Sequence, residues 1–146
     1  MDYLQMTAPC GLDCFNCHYY LAHESEKSMN EVKRISEKHN MPVEILLCKG
    51  CRNHDRKIPL QKHAFGEDHY CAAYECCKQK GLKFCGDCDD FPCDNLHPYA
   101  DMAEELPHNY KVYSLCLIRK MGLEEWAKSK AAEVREVYFN KPWSLK

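Results

Sequence analysis

Three Cys-x-x-Cys pairs, Cys14 with Cys17, Cys48 with Cys51 and Cys85 with Cys88, constrain this chain more than any apolar pattern in it. Two thiolates on one tight turn can reach the same ion, and two such pairs complete a tetrahedral site. The first pair belongs to Cys10-Gly-Leu-Asp-Cys14-Phe-Asn-Cys17, where three thiols fall within eight residues and a Gly stands where a ligand loop must turn tightly. Cys71, Cys76, Cys77, Cys93 and Cys116 follow, bringing the total to 12 in 146 residues. A density of about 8 per cent belongs to small proteins rich in disulfides or in metal, and composition does not choose between them.

The N-terminus, Met1-Asp-Tyr-Leu-Gln-Met-Thr-Ala-Pro9, has no basic segment followed by an apolar one, so no secretory signal is expected. No apolar run approaches the length that spans a bilayer. The expectation is a cytoplasmic protein with no membrane partner, whose reduced thiols bind metal or do redox work. The length suits a single Cys-rich domain over 1–146, with a Cys-rich part at 1–95 and a helical part at 96–146.

The apolar spacing is helical. His18-Tyr-Tyr-Leu reads as a helix leaving the first Cys loop, and Ser28-Met-Asn-Glu31 has the form of a capping box for a helix over 28–38, ended by Asn40 and Pro42. Glu44-Ile-Leu-Leu47 is too short for periodicity to decide between a strand and a helical turn. The basic stretch 52–69 has no clear period and predicts a surface loop. A helix over 70–80 stops at Gly81, a turn-rich knuckle covers 85–93, and helices follow over 109–120 and from Leu123 to about Val137, separated by Gly122. The fold class predicted is mainly α: a small Cys-rich, metal-stapled domain with an irregular centre and C-terminal helices.

Charge is uneven although the net value is -2. Lys49, Arg52, Arg56, Lys57 and Lys62 stand against Asp55 alone, whereas 87–105 holds seven acids and no Lys or Arg. A solvated surface of mixed sign explains this better than a polyanion site, so nucleic acid is not the expected partner and an unspecified protein is.

Ten cysteines have ligand-type spacing: Cys10, Cys14, Cys17, Cys48, Cys51, Cys71, Cys76, Cys85, Cys88 and Cys93. One economical division joins Cys48 and Cys51 to Cys71 and Cys76, leaving Cys10, Cys14, Cys17, Cys85, Cys88 and Cys93 for a second centre. Residues five apart on a helix point about 140° away from each other, so Cys71 would have to precede the first turn. Cys77 should point elsewhere on that helix, and Cys116 should pack as a small hydrophobe. His18, His54 and His69 lie close to cysteines and are read as solvated or supporting side chains, with ligation left open.

Zinc is favoured by the separated pairs, and an iron-sulfur cluster is the alternative favoured by the excess of thiols. The Cys10-x3-Cys14-x2-Cys17 spacing also occurs in radical S-adenosylmethionine enzymes, but Asn16 stands where those have an aromatic residue and the chain is too short for their barrel. No βαβ pattern supports thioredoxin-like exchange, and no lone activated thiol can be singled out as a nucleophile.

Cys10-Gly-Leu-Asp-Cys14-x2-Cys17 with Tyr20, Cys48-x-Gly-Cys51, Cys71-x4-Cys76 leading to Lys80-Gly81, Cys85-x2-Cys88, Phe91-Pro92-Cys93 and Met121-Gly-Leu-Glu-Glu-Trp126 together resemble the uncharacterised Cys-rich prokaryotic family, domain of unknown function 3795. The resemblance includes the ten cysteines other than Cys77 and Cys116. It implies a small metal-binding prokaryotic protein and supplies no activity. Because zinc fully ligated by Cys has no open position for substrate, the expected function is a non-enzymatic binding or adaptor module holding zinc in two centres. The alternative is a redox or electron-transfer accessory using an iron-sulfur cluster or exchangeable thiols.

Overall fold

A computed structural model describes residues 1–96 and 108–140. Among these residues the chain is mainly helical with no strand, and Thr7 and Asp13 form one isolated antiparallel bridge. The helices are α1 (His18–Leu21), α2 (Glu26–His39), α3 (Val43–Leu46), α4 (Pro59–Phe65), α5 (Ala72–Gln79), α6 (His108–Met121), α7 (Leu123–Ser129) and α8 (Ala131–Asn140). Short 3-10 turns at Cys14–Asn16, Cys85–Asp87 and Asp94–Leu96 lie in the cysteine loops. None of the described helices is long and apolar enough to cross a membrane.

Local chemistry accounts for the helix ends. The cap of α2 is Ser25, whose hydroxyl accepts from the Ser28 N–H at 3.3 Å, so the helix starts earlier than the Ser28 capping box predicts. Ser28 is instead a buried first-turn residue whose Oγ lies 3.3 Å from His18 Nδ1. At the other end Asn40 adopts the left-handed conformation (φ 49), as its place before Pro42 suggests. The 43–47 segment resolves into the helical turn α3.

Two expectations from sequence are corrected. The stretch 52–69 is not all loop, because Pro59 opens α4 at its first turn and Gly66 closes it (φ 101), with Leu60 as its apolar contact. The single helix expected from Leu123 onward is two, broken at Lys130 (φ -124, ψ -34). Ser129 Oγ donates to the Glu125 carbonyl at 2.7 Å, a back-bond that bends helices, and the break lets Ala131 as well as Trp126 reach the core.

The apolar side chains form two clusters. The smaller joins Ala22, Val32 and Leu46 and holds α1, α2 and α3 together. The larger is built on Phe15, Phe84, Leu115, Ile118, Trp126 and Ala131, and includes Cys10, Cys77 and Cys85. Phe15 meets the Trp126 ring edge-on at 5.8 Å, so the loop carrying the first cysteines sits directly on the C-terminal helices. Gly11 fits there only because it lacks a side chain. Its φ is +87, and a Cβ would stand 2.9 Å from both Leu115 Cγ and the Lys111 carbonyl oxygen.

Candidate metal centre

The first group of thiols grows from two facing turns. Ala8 N–H donates to Leu12 O at 2.9 Å and Gly11 N–H to Ala8 O at 2.9 Å, folding Cys10 into a tight buried turn. The 3-10 turn that follows sets Cys14 and Cys17 on one knuckle, closed by Cys17 N–H to Cys14 O at 2.9 Å. Opposite it, Cys48 N–H donates to Tyr19 O at 3.0 Å, and Gly50 N–H donates to Cys48 Sγ at 3.3 Å. Gly50 (φ +82) lies flat against this first knuckle: a Cβ there would be 3.5 Å from the Tyr20 ring and 3.8 Å from Cys14 Sγ.

Burial and mutual repulsion dominate the electrostatics of this group. Desolvation raises the thiol pKa of Cys14, and the charges of Cys48, Cys17 and Cys10 raise it further. Cys51 is pushed well up, first by burial and then by Cys10, Cys14, Cys71 and Cys48. Burial likewise raises Cys10 and Cys48. The cysteines acting on these four include Cys17 and Cys71, so Cys10, Cys14, Cys17, Cys48, Cys51 and Cys71 form one neighbourhood of thiols. A cation bound in their midst would favour the ionised form of thiols so placed.

The second group lines a cavity of about 320 Å³ walled by Cys76, Cys77, Cys85, Cys88 and Cys93. Cys77 Sγ and Cys85 Sγ are 3.4 Å apart, close to the spacing of about 3.8 Å for two thiolates on a tetrahedral zinc. The contact with Cys77 and burial push the Cys85 thiol up, and the same contact draws Cys77 down. Lys80 Nζ donates to Cys88 Sγ at 3.2 Å and to Asp90 Oδ2 at 2.7 Å. The groups adjoin through the Cys85 N–H, which donates to Pro9 O at 2.8 Å.

This division differs from the one predicted from spacing. Cys14 and Cys17 lie with Cys48 and Cys51, and Cys71 joins them, whereas the knuckle at 85–93 gathers with α5; Cys10 borders both, beside Cys51 and within reach of Cys85. Cys71 does precede the first turn of α5 (φ -73, ψ 112), and the angular separation then sends it to one group and Cys76 to the other. Cys77, expected to point away, is buried against Cys85, and Cys116, expected to pack inward, is exposed. Each of the three histidines has another occupation. His18 faces Ser28, His54 Nε2 accepts from the Lys49 N–H at 2.9 Å, and the His69 ring lies tilted against Phe65 with centroids 4.6 Å apart.

Among the described residues no three Cys, His, Asp or Glu side chains stand at the spacing of one metal ion. The donor set nonetheless fits a thiophilic metal in kind and number: all twelve cysteines are free, and eleven lie in the two adjoining groups.

One buried residue of the first loop escapes a reading based on cysteines. Asp13 is 0% exposed and accepts from Tyr110 Oη at 2.5 Å, from Arg135 Nη1 at 2.5 Å and from Asn16 Nδ2 at 2.9 Å. Burial and the adjacent Asp13 charge raise the Tyr110 pKa. Burial works against the Arg135 charge, but Asp13 and Cys17 hold its pKa above the ordinary value. This network pins the loop between Cys10 and Cys14 to α6 and α8. A lone acid inside a cysteine loop and an arginine among the apolar residues of the last helix are the signals that could have revealed it.

A sequence model for a family described as protein of unknown function (DUF3795) matches residues 6–98, a span that includes every cysteine of both groups. No curated protein and no solved structure gives a match.

Proposed function

The chain belongs to the family of domain of unknown function 3795, and from that premise we propose that it is a zinc-binding protein whose thiolates shape a docking module and do no catalysis. The observation that carries this reading is the gathering of eleven free thiols into two adjoining groups. In a reducing compartment such as the cytoplasm, thiols at this density meet a thiophilic cation more readily than each other. Zinc enclosed by four thiolates has no open position for substrate, so its contribution is to folding and to the shape of the surface above it. Cys14, Cys17, Cys48 and Cys51 would hold one ion, since their two knuckles face across Gly50.

A protein partner suits this module better than nucleic acid. Arg52 donates to Thr7 O at 2.9 Å and Lys83 O at 2.6 Å, Arg56 pairs with Glu75, and Lys62 pairs with Glu67. Three of the five cations of the basic stretch are thereby engaged within the molecule, which leaves fewer for phosphates.

A second reading, an iron-sulfur or thiol-based redox accessory, is favoured by Cys10 and Cys71, which bring the first group to six thiols, more than one tetrahedral ion takes. Purification without oxygen, followed by metal analysis and visible absorption, separates the two. Colourless protein with stoichiometric zinc is the expected result. Brown protein with iron and acid-labile sulfide would overturn zinc in favour of the cluster, and metal-free folded protein would overturn both metals and leave only thiol exchange.

A further inference from the structure

We propose that the cavity beneath α5 is a second metal centre, separate from the facing knuckles, and that its four ligands are Cys77, Cys85, Cys88 and Cys93. The inference rests on the metal-binding reading and adds to it both a location and a ligand outside the ten cysteines of the family pattern.

The geometry comes from a succession of tight turns. Phe84 N–H donates to Asp87 Oδ2 at 3.0 Å, Cys88 N–H to Cys85 O at 3.1 Å, Phe91 N–H to Cys88 O at 3.2 Å, and Leu96 N–H to Cys93 O at 2.8 Å. The segment is wound so that its three cysteines all face the same cavity of about 320 Å³. A fourth donor must come from α5. Cys76 and Cys77 both border the cavity, but as neighbours on that helix they diverge by about 100°, so a single ion takes the one whose sulfur stands nearer the knuckle. Cys77 is 3% exposed with its Sγ already 3.4 Å from Cys85 Sγ, whereas Cys76 is only half-buried.

Charge supports the same assignment. A divalent zinc with four thiolates carries a net negative charge of two, and such a centre is stabilised by a cation donating to one of its sulfurs. Lys80 Nζ is placed to do so, 3.2 Å from Cys88 Sγ, and Asp90 holds it there from 2.7 Å. Loading releases to solvent the protons of those thiols that are still protonated, and no electron is transferred.

The test uses the full chain, purified without oxygen, as wild type and as Cys77→Ser, Cys76→Ser and Cys116→Ser. Zinc per chain is measured, and cobalt(II) titration follows the sulfur-to-metal absorption. Expected are two zinc ions in wild type, Cys76→Ser and Cys116→Ser, and one in Cys77→Ser, whose cobalt absorption falls by about half. Two ions and unchanged absorption in Cys77→Ser, or loss of an ion in Cys76→Ser instead, would overturn the assignment while leaving the zinc reading standing. Wild type without metal would end both.

Should Cys77→Ser fail to fold, alkylation of the wild type read by mass spectrometry decides the matter. Half-buried Cys88 and Cys93 should resist modification in the zinc form while Cys76 and Cys116 react. Limited chelation should then expose Cys77, Cys85, Cys88 and Cys93 together. Reaction of Cys88 and Cys93 in step with Cys116 before any chelation would refute the centre.

Discussion

Replacing Asp13 with Ala tests the buried contact that joins the first cysteine loop to the C-terminal helices. Asp13 is fully enclosed, and its loss would leave Arg135 with 23% of its side chain exposed and no counter-charge, together with a Tyr110 hydroxyl deprived of its acceptor. Removing one partner of a buried pair costs about 3–5 kcal/mol, and the partial exposure of Arg135 places the expectation at the lower end, about 3 kcal/mol. For a chain of this size that lowers the melting temperature by about 6–12 °C. The assay is thermal unfolding of the metal-loaded protein by circular dichroism, with Arg135→Met and the double variant completing a cycle. The double variant should be less destabilised than the sum of the singles, because neither charge is then left alone. A melting temperature within about 1 °C of wild type for Asp13→Ala, or strict additivity in the cycle, would refute the argument.

Other perturbations address single features. Gly11→Ala places a side chain at φ +87 against the Lys111 carbonyl and should cost about 1–3 kcal/mol in urea unfolding; an unchanged midpoint would show that the loop does not need this conformation. Cys48→Ser should lose one zinc per chain, whereas Cys116→Ser, on an exposed thiol, should keep both and stay within about 0.5 kcal/mol of wild type. Equal zinc loss from the two would contradict the grouping. His54 is held below its ordinary value of 6.5, first by burial and then by Lys49 and His23. The unfolded state therefore binds the proton more readily, so the His54 contribution is complete above about pH 6.5 and is lost as pH falls through the lowered folded value. The stability difference between wild type and His54→Gln should shrink below that pH, and a difference that grows on acidification would reverse the sign.

Much of the helical frame was legible because its signals are local. Gly81 and Gly122 take positive φ where the helices were expected to stop, and Asn40 closes α2 as read. The Cys-x-x-Cys turns are equally local. Their partnering is not: whether Cys14 faces Cys48 or Cys85 depends on how loops far apart in sequence meet on the core, and spacing contains no such information. The closeness of Cys77 to Cys85 is hidden for the same reason, since helical phase shows that Cys77 diverges from Cys76 but not which of them stands nearer the 85–93 knuckle. The cap of α2 moved to Ser25 because two serines three apart offer competing starts, and tertiary burial of Ser28 beside His18 decides between them. α4 was hidden by its brevity and charge, and the acids Asp101, Glu104 and Glu105 lie outside the described residues.

The Arg52 guanidinium has a consequence in time as well as in structure. It grips Thr7 O, 45 residues upstream, and Lys83 O, 31 residues downstream, while lying 5.5 Å from the Phe84 ring. Those bonds can form only after three separate stretches of chain have met, so they belong to the last steps of folding and the first of opening. Arg52 is thus a latch on lifetime: Arg52→Lys should leave the refolding rate nearly unchanged and hasten unfolding, so that a bound ion would escape sooner from a fold that assembles as fast as before.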